Sequence, residues 1–253
     1  MIDFSDKDIF LVTGASSGIG RACSLLLNNL GAAVIAVARR GDKLNELRSG
    51  TKKPDLLYPE IKDLSTGIEE HDKWIGTISA KYGRLKGVVL SAGVRHTIPL
   101  KAVSYDKMKR LFDVNYFSNI MLAKGFGNAK VNAGKGASIV FVSSISARDG
   151  GKGIINYSAS KASLLAAVKS LALELSGAGI RVNSVLPGYV ETEMLSGDKN
   201  LFNDHFIETV NAEYPLGIGK PEWIAQLIVF LLSECASWIT GSNIIIDGGA
   251  SLG

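Results

Sequence analysis

A serine, a tyrosine and a lysine stand at short spacing in the second half of this 253-residue chain: Ser144, Tyr157 and Lys161. Tyr157 and Lys161 are four residues apart in a stretch that predicts the start of a helix, so their side chains share one face. A cation about 4 Å from a phenol, at an effective dielectric near 20, favours the phenolate by roughly 4 kcal/mol. That equals about three pKa units, enough to bring a tyrosine towards neutral pH as a general acid or base.

The Tyr-x-x-x-Lys spacing carries little weight alone, because it arises often by chance on a solvated helix. The beginning of the chain adds weight to it. Thr13–Gly20 reads Thr-Gly-Ala-Ser-Ser-Gly-Ile-Gly and lies between a predicted strand and a predicted helix. Glycines in such a turn let the backbone approach a pyrophosphate, which the amides at the helix amino terminus then bind. The loop therefore predicts a dinucleotide site.

Arg39 and Arg40 follow the second predicted strand, about twenty residues beyond the glycine loop. A carboxylate at this turn would bind the ribose hydroxyls of NAD, whereas an arginine accommodates a 2′-phosphate through its planar fork. Because no carboxylate occupies the turn, we expect NADP(H) to be preferred over NAD(H). The alternative is that both arginines are merely solvated after a strand end.

The composition argues against several classes of protein. Apolar residues make up 46% and charged residues 21%, with a net charge of +4, which is ordinary for a globular protein. The 28 Lys and Arg residues are dispersed, so no nucleic-acid partner is expected. The cysteines and histidines make no metal-binding spacing, so no metal is expected. Three aspartates interrupt the first ten residues and no apolar stretch approaches a membrane span, so we expect a cytoplasmic protein without a membrane partner.

Short apolar runs alternate with helical patterns along residues 1–253, which predicts a single α/β domain with a doubly wound, seven-stranded parallel sheet and helices on both faces. The predicted strands are Ile9–Thr13, Ala33–Ala38, Leu56–Ile61, Gly87–Ser91, Ala137–Ser143, Arg181–Leu186 and Asn243–Ile246. The predicted helices cover about 18–30, 41–49, 67–82, 104–131, 157–177 and 221–234.

One long irregular region, about 191–217, follows a strand end, where ligands bind in such sheets. We interpret it as a substrate lid. Its apolar residues favour an apolar portion of the substrate; they are Met194, Leu195, Leu201, Phe202, Phe206 and Ile207. The alternative is a surface insertion with a short helix.

Together with further short motifs, these residues resemble the short-chain dehydrogenase/reductase family. The further motifs are Asp63-Leu64-Ser65, Ala92-Gly93, Asn115, Pro187-Gly188, Ile239-Thr240-Gly241 and Ile246-Asp247-Gly248-Gly249. The likeness runs in the family's order from about residue 7 to the end. It implies a Rossmann fold and an oxidoreductase that reduces a ketone, or oxidises a secondary alcohol, with a nicotinamide cofactor.

The resemblance also implies catalytic roles. Tyr157 would protonate the substrate oxygen, and Ser144 would hydrogen-bond the same oxygen. Lys161 would lower the pKa of the tyrosine and hold the nicotinamide ribose, while Asn115 would support a water relay to Lys161. Two alternatives stay open from the residues alone: Ser143 adjoins Ser144, although only one of the two can face the site, and Asn115 could simply bridge a helix bend.

The cofactor contacts that the resemblance implies include Asp63 at the adenine and Thr192 at the nicotinamide carboxamide. Asp63 could equally be an ordinary turn residue. The full expected set is Gly14, Ser16, Ser17, Gly18, Ile19, Gly20, Arg39, Arg40, Asp63, Leu64, Ser91, Ala92, Gly93, Tyr157, Lys161, Pro187, Gly188, Val190 and Thr192.

Two positions depart from the family's pattern. Ser91 stands where the family usually has an asparagine, which puts in question the hydrogen bonds that steady the adenosine ribose and the central strand. Lys86-Gly87 replaces the acidic residue that commonly precedes this strand. Neither change touches the three catalytic candidates.

The chain is similar to 3-oxoacyl-carrier-protein reductases, which implies an acyl-carrier-protein-bound substrate as one candidate. Lys124, Lys130, Lys135 and Lys169 could form a docking surface, whereas Ser176–Gly179 lacks the basic residue expected there. The alternatives are a sugar, a polyol or another small carbonyl compound, or a catalytically silent dinucleotide-sensing protein. The resemblance further implies a homodimer or homotetramer formed through the helices at about 104–131 and 157–177.

Overall fold

The computed structural model describes residues 2–193, 208, 210 and 214–252. Most of the predicted lid at about 191–217, including all six of its apolar residues named above, lies outside the described residues. Within the described part of the chain, no helix is long and apolar enough to cross a membrane. The same residues contain no cluster of three or more His, Cys, Asp or Glu side chains that could hold a metal ion.

Seven parallel strands form one sheet in the order β3-β2-β1-β4-β5-β6-β7. The strands are β1 (Ile9–Thr13), β2 (Ala33–Ala38), β3 (Leu57–Ile61), β4 (Leu85–Leu90), β5 (Ser138–Val142), β6 (Arg181–Pro187) and β7 (Asn243–Ile246). The chain runs outward from β1 in one direction and from β4 in the other, so a crevice opens between their carboxyl ends. This topology confirms the predicted doubly wound fold.

Helices cover both faces of this sheet. They are α1 (Gly18–Asn29), α2 (Gly41–Ser49), α3 (His71–Tyr82), α4 (Tyr105–Phe112), α5 (Ser118–Phe126), α6 (Ser146–Asp149), α7 (Ile155–Leu175) and α8 (Pro221–Leu232). Alternate residues of β1 enter opposite cores, because successive strand side chains point to opposite faces. Phe10 and Val12 join the core under α1, α2 and α8, whereas Leu11 joins the core under α3, α5 and α7.

The prediction of one continuous helix over 104–131 is wrong in the middle of that range and at its end. It is interrupted by a π-helical turn at Asp113–Phe117, and α5 ends at Phe126. A π turn widens the helix by one residue, and such turns occur frequently at functional sites. Here the turn contains Asn115, one of the predicted catalytic residues.

The strand predicted over Gly87–Ser91 also needs correction. β4 begins two residues earlier, because Leu85 is buried and pairs with Ile9 of β1. It ends at Leu90, because the Ser91 amide donates to the Thr13 hydroxyl instead of continuing the ladder. The short helix α6 was not predicted, since its four residues are too few to show a helical period.

Candidate active site

A cavity of about 620 Å³ opens at the carboxyl edge of the sheet, over the ends of β1, β4, β5 and β6. Nearly all of the residues expected to bind the cofactor or catalyse the reaction line it. The exceptions are Gly20 and Asn115, which lie behind its wall. The structure therefore brings the predicted residues together around one space.

The glycine loop passes so close to the end of β4 that a side chain on Gly14 would force its neighbours to shift. Gly14 has φ +69°, and a Cβ on it would lie 3.1 Å from the Ala92 Cα. A Cβ on Gly20 would lie 2.5 Å from the Gly14 carbonyl oxygen, so Gly20 serves packing and not contact with the cavity. Ser17 precedes α1 without capping it through its side chain. The first turn of α1 therefore has no side-chain cap from Ser17, and Gly18 and Ile19 line the cavity, which fits a dinucleotide pyrophosphate.

Arg39 and Arg40 both line the far end of this cavity, and Arg40 is already engaged. The Arg40 Nη1 lies 2.8 Å from the Glu193 carboxylate. Its Nε and Nη2 donate to the Ser16 hydroxyl at 3.3 and 3.1 Å. The pair of cations fits a ribose 2′-phosphate, although this geometry leaves Arg39 as the cation without a hydrogen bond among the described residues.

Asp63 also lines this end of the cavity. Its Oδ1 accepts hydrogen bonds from the amide and the hydroxyl of Ser65 at 2.9 and 2.7 Å. These bonds, reinforced by the charge of Arg39, hold the pKa of Asp63 below its usual value. Asp63 is thus a turn residue, as the alternative interpretation held, and it also presents an ionised carboxylate to the cavity.

The join between β1 and β4 depends on Thr13 and not on the Ser91 side chain. The Thr13 hydroxyl accepts from the amides of Ser91 and Ala92, each at 3.0 Å, and donates to the Val89 carbonyl at 3.3 Å. The central strands are therefore steadied at this point although an asparagine is missing at position 91.

Tyr157 and Lys161 lie in the first two turns of α7, and Ser144 follows the end of β5. Lys161 is only 4% exposed. Its Nζ donates to the Val142 carbonyl at 2.8 Å and lies 5.8 Å from the centre of the Tyr157 ring. The Ser143 hydroxyl donates to the Lys161 carbonyl at 2.9 Å, so Ser143 positions the helix and Ser144 is the serine beside Tyr157.

The Ser144 hydroxyl is arranged to donate its proton. Its oxygen accepts from the Ser146 amide at 3.2 Å and from the Ser146 hydroxyl at 3.0 Å. Because two donors occupy the lone pairs, the Ser144 proton points elsewhere, and its hydrogen bond to Tyr157 lowers the pKa of the phenol. The Ser144 and Tyr157 hydroxyls can therefore converge on one substrate oxygen.

The pKa shifts of Tyr157 and Lys161 are set mainly by desolvation. Burial raises the pKa of Tyr157, against the Ser144 hydrogen bond and the charge of Arg95, which lower it. Burial lowers the pKa of Lys161 from 10.5 to about 8. The net shift of the Tyr157 pKa is therefore upward, opposite in direction to the lowering expected from Lys161.

Asn115 is fully buried behind the cavity and ties the exit of β4 to α7. Its Oδ1 accepts from the Val94 amide at 2.8 Å, and its Nδ2 donates to the Val94 carbonyl at 2.9 Å and to the Ser160 hydroxyl at 3.0 Å. A Cβ on Gly93 would lie 3.2 Å from the Asn115 Oδ1 and 3.3 Å from the Lys161 Nζ. Asn115 thus positions the loop next to Lys161, and the water relay stays a prediction.

Several residues around Tyr157 were not singled out from the sequence. They lie in the segments that follow β4, β5 and β6: Arg95, Ile145, Ser146, Asp149, Lys152, Ile154, Tyr189 and Tyr214. A signal for the first of them was present, because Arg95 directly follows the Ala92-Gly93 motif at a strand's carboxyl end, where ligands bind. The others belong to segments without a distinctive pattern.

Comparisons with known proteins agree with this geometry. The model of the family described as Enoyl-(Acyl carrier protein) reductase matches residues 14–251. The 3-oxoacyl-[acyl-carrier-protein] reductase FabG of Thermotoga maritima is 35% identical over 243 residues, 95% of this chain and 96% of that protein. The L-rhamnose 1-dehydrogenase (NAD(P)(+)) of Sphingomonas sp. is 34% identical over 245 residues, 94% of each.

A solved structure from Brucella melitensis, described as a short-chain dehydrogenase/reductase of the glucose/ribitol dehydrogenase type, has the same fold. It is 27% identical, covers 99% of both chains and gives a TM-score of 0.90. The chain therefore belongs to the short-chain dehydrogenase/reductase family and is an oxidoreductase that acts on CH–OH or C=O groups.

Proposed function

We propose that this protein is an NADP(H)-dependent ketone reductase with Ser144, Tyr157 and Lys161 as its catalytic centre. One observation carries the proposal. The Ser144 and Tyr157 hydroxyls are paired beside the buried Lys161, and they line the same cavity as the glycine loop and the two arginines. The bound nicotinamide supplies the hydride, or accepts it in the reverse direction. The protein supplies position, a proton and charge stabilisation.

Each side chain has a distinct task in this reaction. The Tyr157 hydroxyl gives its proton to the substrate oxygen, and its raised pKa keeps that proton in place until the oxygen becomes basic. Ser144 donates a second hydrogen bond and stabilises the developing negative charge. Lys161, with a pKa of about 8 and its Nζ 5.8 Å from the centre of the Tyr157 ring, is the group that we propose returns a proton to the tyrosine. Its ammonium also fits the ribose hydroxyls of the cofactor.

The preference for NADP(H) rests on Arg39 and Arg40. Both cations line the cavity at the end where Asp63 lies, and no carboxylate follows β2 directly. A guanidinium binds a 2′-phosphate through parallel hydrogen bonds, which a ribose lacking that phosphate does not offer. We therefore propose the preference for NADP(H) over NAD(H) because of the positive charges of Arg39 and Arg40.

Two substrate classes are supported by relatives. The Thermotoga maritima reductase is named for a 3-oxoacyl group on acyl carrier protein, which favours a 3-oxoacyl thioester. The Sphingomonas dehydrogenase is named for L-rhamnose, which favours a sugar. Four lysines were considered for carrier docking. The Nζ of one of them, Lys124, lies 2.6 Å from the Asp72 carboxylate, which weakens the case for a carrier-bound substrate at that position.

A homodimer or homotetramer is also proposed. Its support is a set of exposed apolar side chains on α4, the π turn and α7: Tyr105, Phe117, Ile155 and Leu173. The cytoplasmic location, the single domain over residues 1–253 and the lid at about 191–217 stay predictions.

The deciding experiment replaces Tyr157 by phenylalanine. We expect Tyr157→Phe to lower kcat by about 10²- to 10⁴-fold while NADPH binding persists, because only the proton donor is lost. Turnover is measured with NADPH and a panel of a 3-oxoacyl thioester, simple ketones and keto-sugars. Tyr58→Phe, on β3 and outside the cavity lining, is the matched control and should keep full activity.

Near-normal turnover by Tyr157→Phe would overturn this mechanism. NADPH binding by the unaltered protein without turnover of any panel member would instead favour the dinucleotide-sensing alternative, since a fold alone does not establish activity.

A further inference from the structure

Arg95 brings a positive charge to the catalytic end of the cavity, where the proposed reaction does not require one. Its guanidinium carbon lies 5.9 Å from the centre of the Tyr157 ring and 5.6 Å from the centre of the Tyr189 ring. Arginine over aromatic faces gains a cation–π attraction, which orients the side chain without using its N–H donors. The Arg95 guanidinium therefore lies beside Tyr157 in the cavity lining, and this contact leaves its N–H donors unused.

The Arg95 Nε is buried and has no hydrogen-bond partner among the described residues. No carboxylate in that part of the chain forms an ion pair with this guanidinium either. A buried donor without a partner is unfavourable, and each such group in a native structure calls for an explanation. An anion entering the cavity would provide the missing acceptor.

The backbone holds Arg95 in place from both sides. The preceding residue, Val94, is bonded through its amide and its carbonyl to the Asn115 side chain. Three residues further on, the Ile98 amide donates to the Gly153 carbonyl at 2.7 Å, which fixes this loop against the segment that leads into α7. The guanidinium is therefore presented by a pinned loop, so less freedom is lost when it binds a ligand.

Arg95 is separate from the cations proposed for the cofactor. Arg39 and Arg40 lie at the end of the cavity formed after β2, beside Ser16 and Asp63, whereas Arg95 follows β4 and contacts Tyr157. An anion bound by Arg95 and a carbonyl oxygen held by the Tyr157 hydroxyl would thus belong to one small molecule, with only a few bonds between them.

We propose that Arg95 is the substrate-recognition residue of this enzyme and that the substrate carries an anionic group, a carboxylate or a phosphate, close to the carbonyl that is reduced. This inference rests on the proposed function, because it takes Tyr157 as the group that meets the carbonyl. Guanidinium is suited to both anions, since its fork matches two oxygens at once.

The test compares matched pairs of ketones that differ in charge: acetoacetate with methyl acetoacetate, and dihydroxyacetone phosphate with dihydroxyacetone. For the unaltered enzyme we expect kcat/KM to favour the anionic member of at least one pair by about 10- to 100-fold, the usual worth of a charge-assisted hydrogen bond. The favoured pair tells whether the anion is a carboxylate or a phosphate.

Variants then assign the preference. Arg95→Gln should lower kcat/KM for the anionic member by about 10- to 100-fold and remove the preference, mainly through KM. Arg148→Gln loses the same charge from the exposed helix α6, outside the cavity lining, and should keep the preference. Lys152→Gln removes the exposed rival cation at the rim of the cavity and should also keep it.

A binding measurement covers the case in which none of the four ketones is turned over. In the Tyr157→Phe protein saturated with NADP⁺, 3-hydroxybutyrate or glycerol 3-phosphate should raise Tm more than methyl 3-hydroxybutyrate or glycerol does. Adding Arg95→Gln should abolish that difference.

Equal behaviour of charged and neutral members in both the kinetic and the Tm measurements would overturn the Arg95 proposal. A preference for the anionic member that survives Arg95→Gln would also overturn it, and so would a preference that disappears in Lys152→Gln. A role of Arg95 limited to the pKa of Tyr157 would change both members of a pair equally, and this result also counts against the proposal. Failure of the proposed function is recognised separately, by turnover that survives Tyr157→Phe.

Discussion

The two ends of the cavity hold positive charge in opposite ways. At the cofactor end, the Arg40 side chain is 45% exposed and is shared between Glu193 and Ser16. At the catalytic end, Lys161 is 4% exposed, and the Arg95 Nε is buried without a partner in the described part of the chain. Water and counter-ions screen an exposed charge, whereas burial removes the hydration of the charged group itself. Removing a positive charge should therefore change stability and ligand binding more at the catalytic end than at the cofactor end.

The largest effect is expected from Lys161, through pH-dependent stability. Its pKa is about 8 in the folded protein and 10.5 as the ordinary value, so between these pH values the unfolded state binds more protons. Its contribution to the free energy of unfolding therefore rises with pH across that window, and below pH 8 the gain is absent. Between pH 7 and pH 10 the change amounts to about 2–3 kcal/mol.

Lys161→Met removes this titration. The difference in the free energy of unfolding between the unaltered protein and Lys161→Met should shift by that amount when denaturant unfolding is compared at pH 7 and pH 10. Lys101→Met, at an exposed position, should show no such shift. If the difference in the free energy of unfolding does not change with pH, the Lys161 ammonium is hydrated. The two ends of the cavity then do not differ in the burial of their charges.

Arg39→Asp should have an intermediate effect, because a phosphate contact is stronger than a solvated charge but weaker than a buried one. The ratio of kcat/KM for NADPH over NADH should fall by about 10- to 100-fold, the worth of a charge-assisted hydrogen bond. Lys52→Asp makes the same charge change at an exposed position outside the cavity lining and should leave the ratio unaltered. An unchanged ratio in Arg39→Asp would remove the basis for the NADP(H) assignment.

The smallest effect is expected from Glu193→Gln. The Glu193 side chain is 55% exposed, and exposed ion pairs contribute about 0–1 kcal/mol, so releasing Arg40 should tighten NADPH binding by less than about fivefold. The dissociation constant is measured by fluorescence titration at low and high salt, where the gain should shrink as salt rises. Glu191→Gln, two residues earlier and exposed, is the control. A change of a hundredfold would show that the cofactor end is not screened.

Much of the fold and of the cofactor end could be predicted from local patterns. The alternation of apolar strands and helices predicted all seven strands, and the glycine loop sits where the spacing of Gly14, Gly18 and Gly20 placed it. The helix across Asp113–Phe117 could not be predicted correctly, because the π turn contains Asn115, whose side chain bonds to Val94 and Ser160, which are distant in sequence. Local propensity contains no term for such contacts.

The sequence by itself determined which groups are present and in what order: a glycine turn before α1, arginines after β2, and a tyrosine and lysine four residues apart on α7. Tertiary structure alone decided their protonation and their neighbours. Burial raises the pKa of Tyr157 and lowers that of Lys161, and the fold places Arg95 beside them from a different strand end. The physical reason is that the dielectric environment and the distances between groups depend on the folded arrangement, whereas spacing along the chain is a property of the sequence.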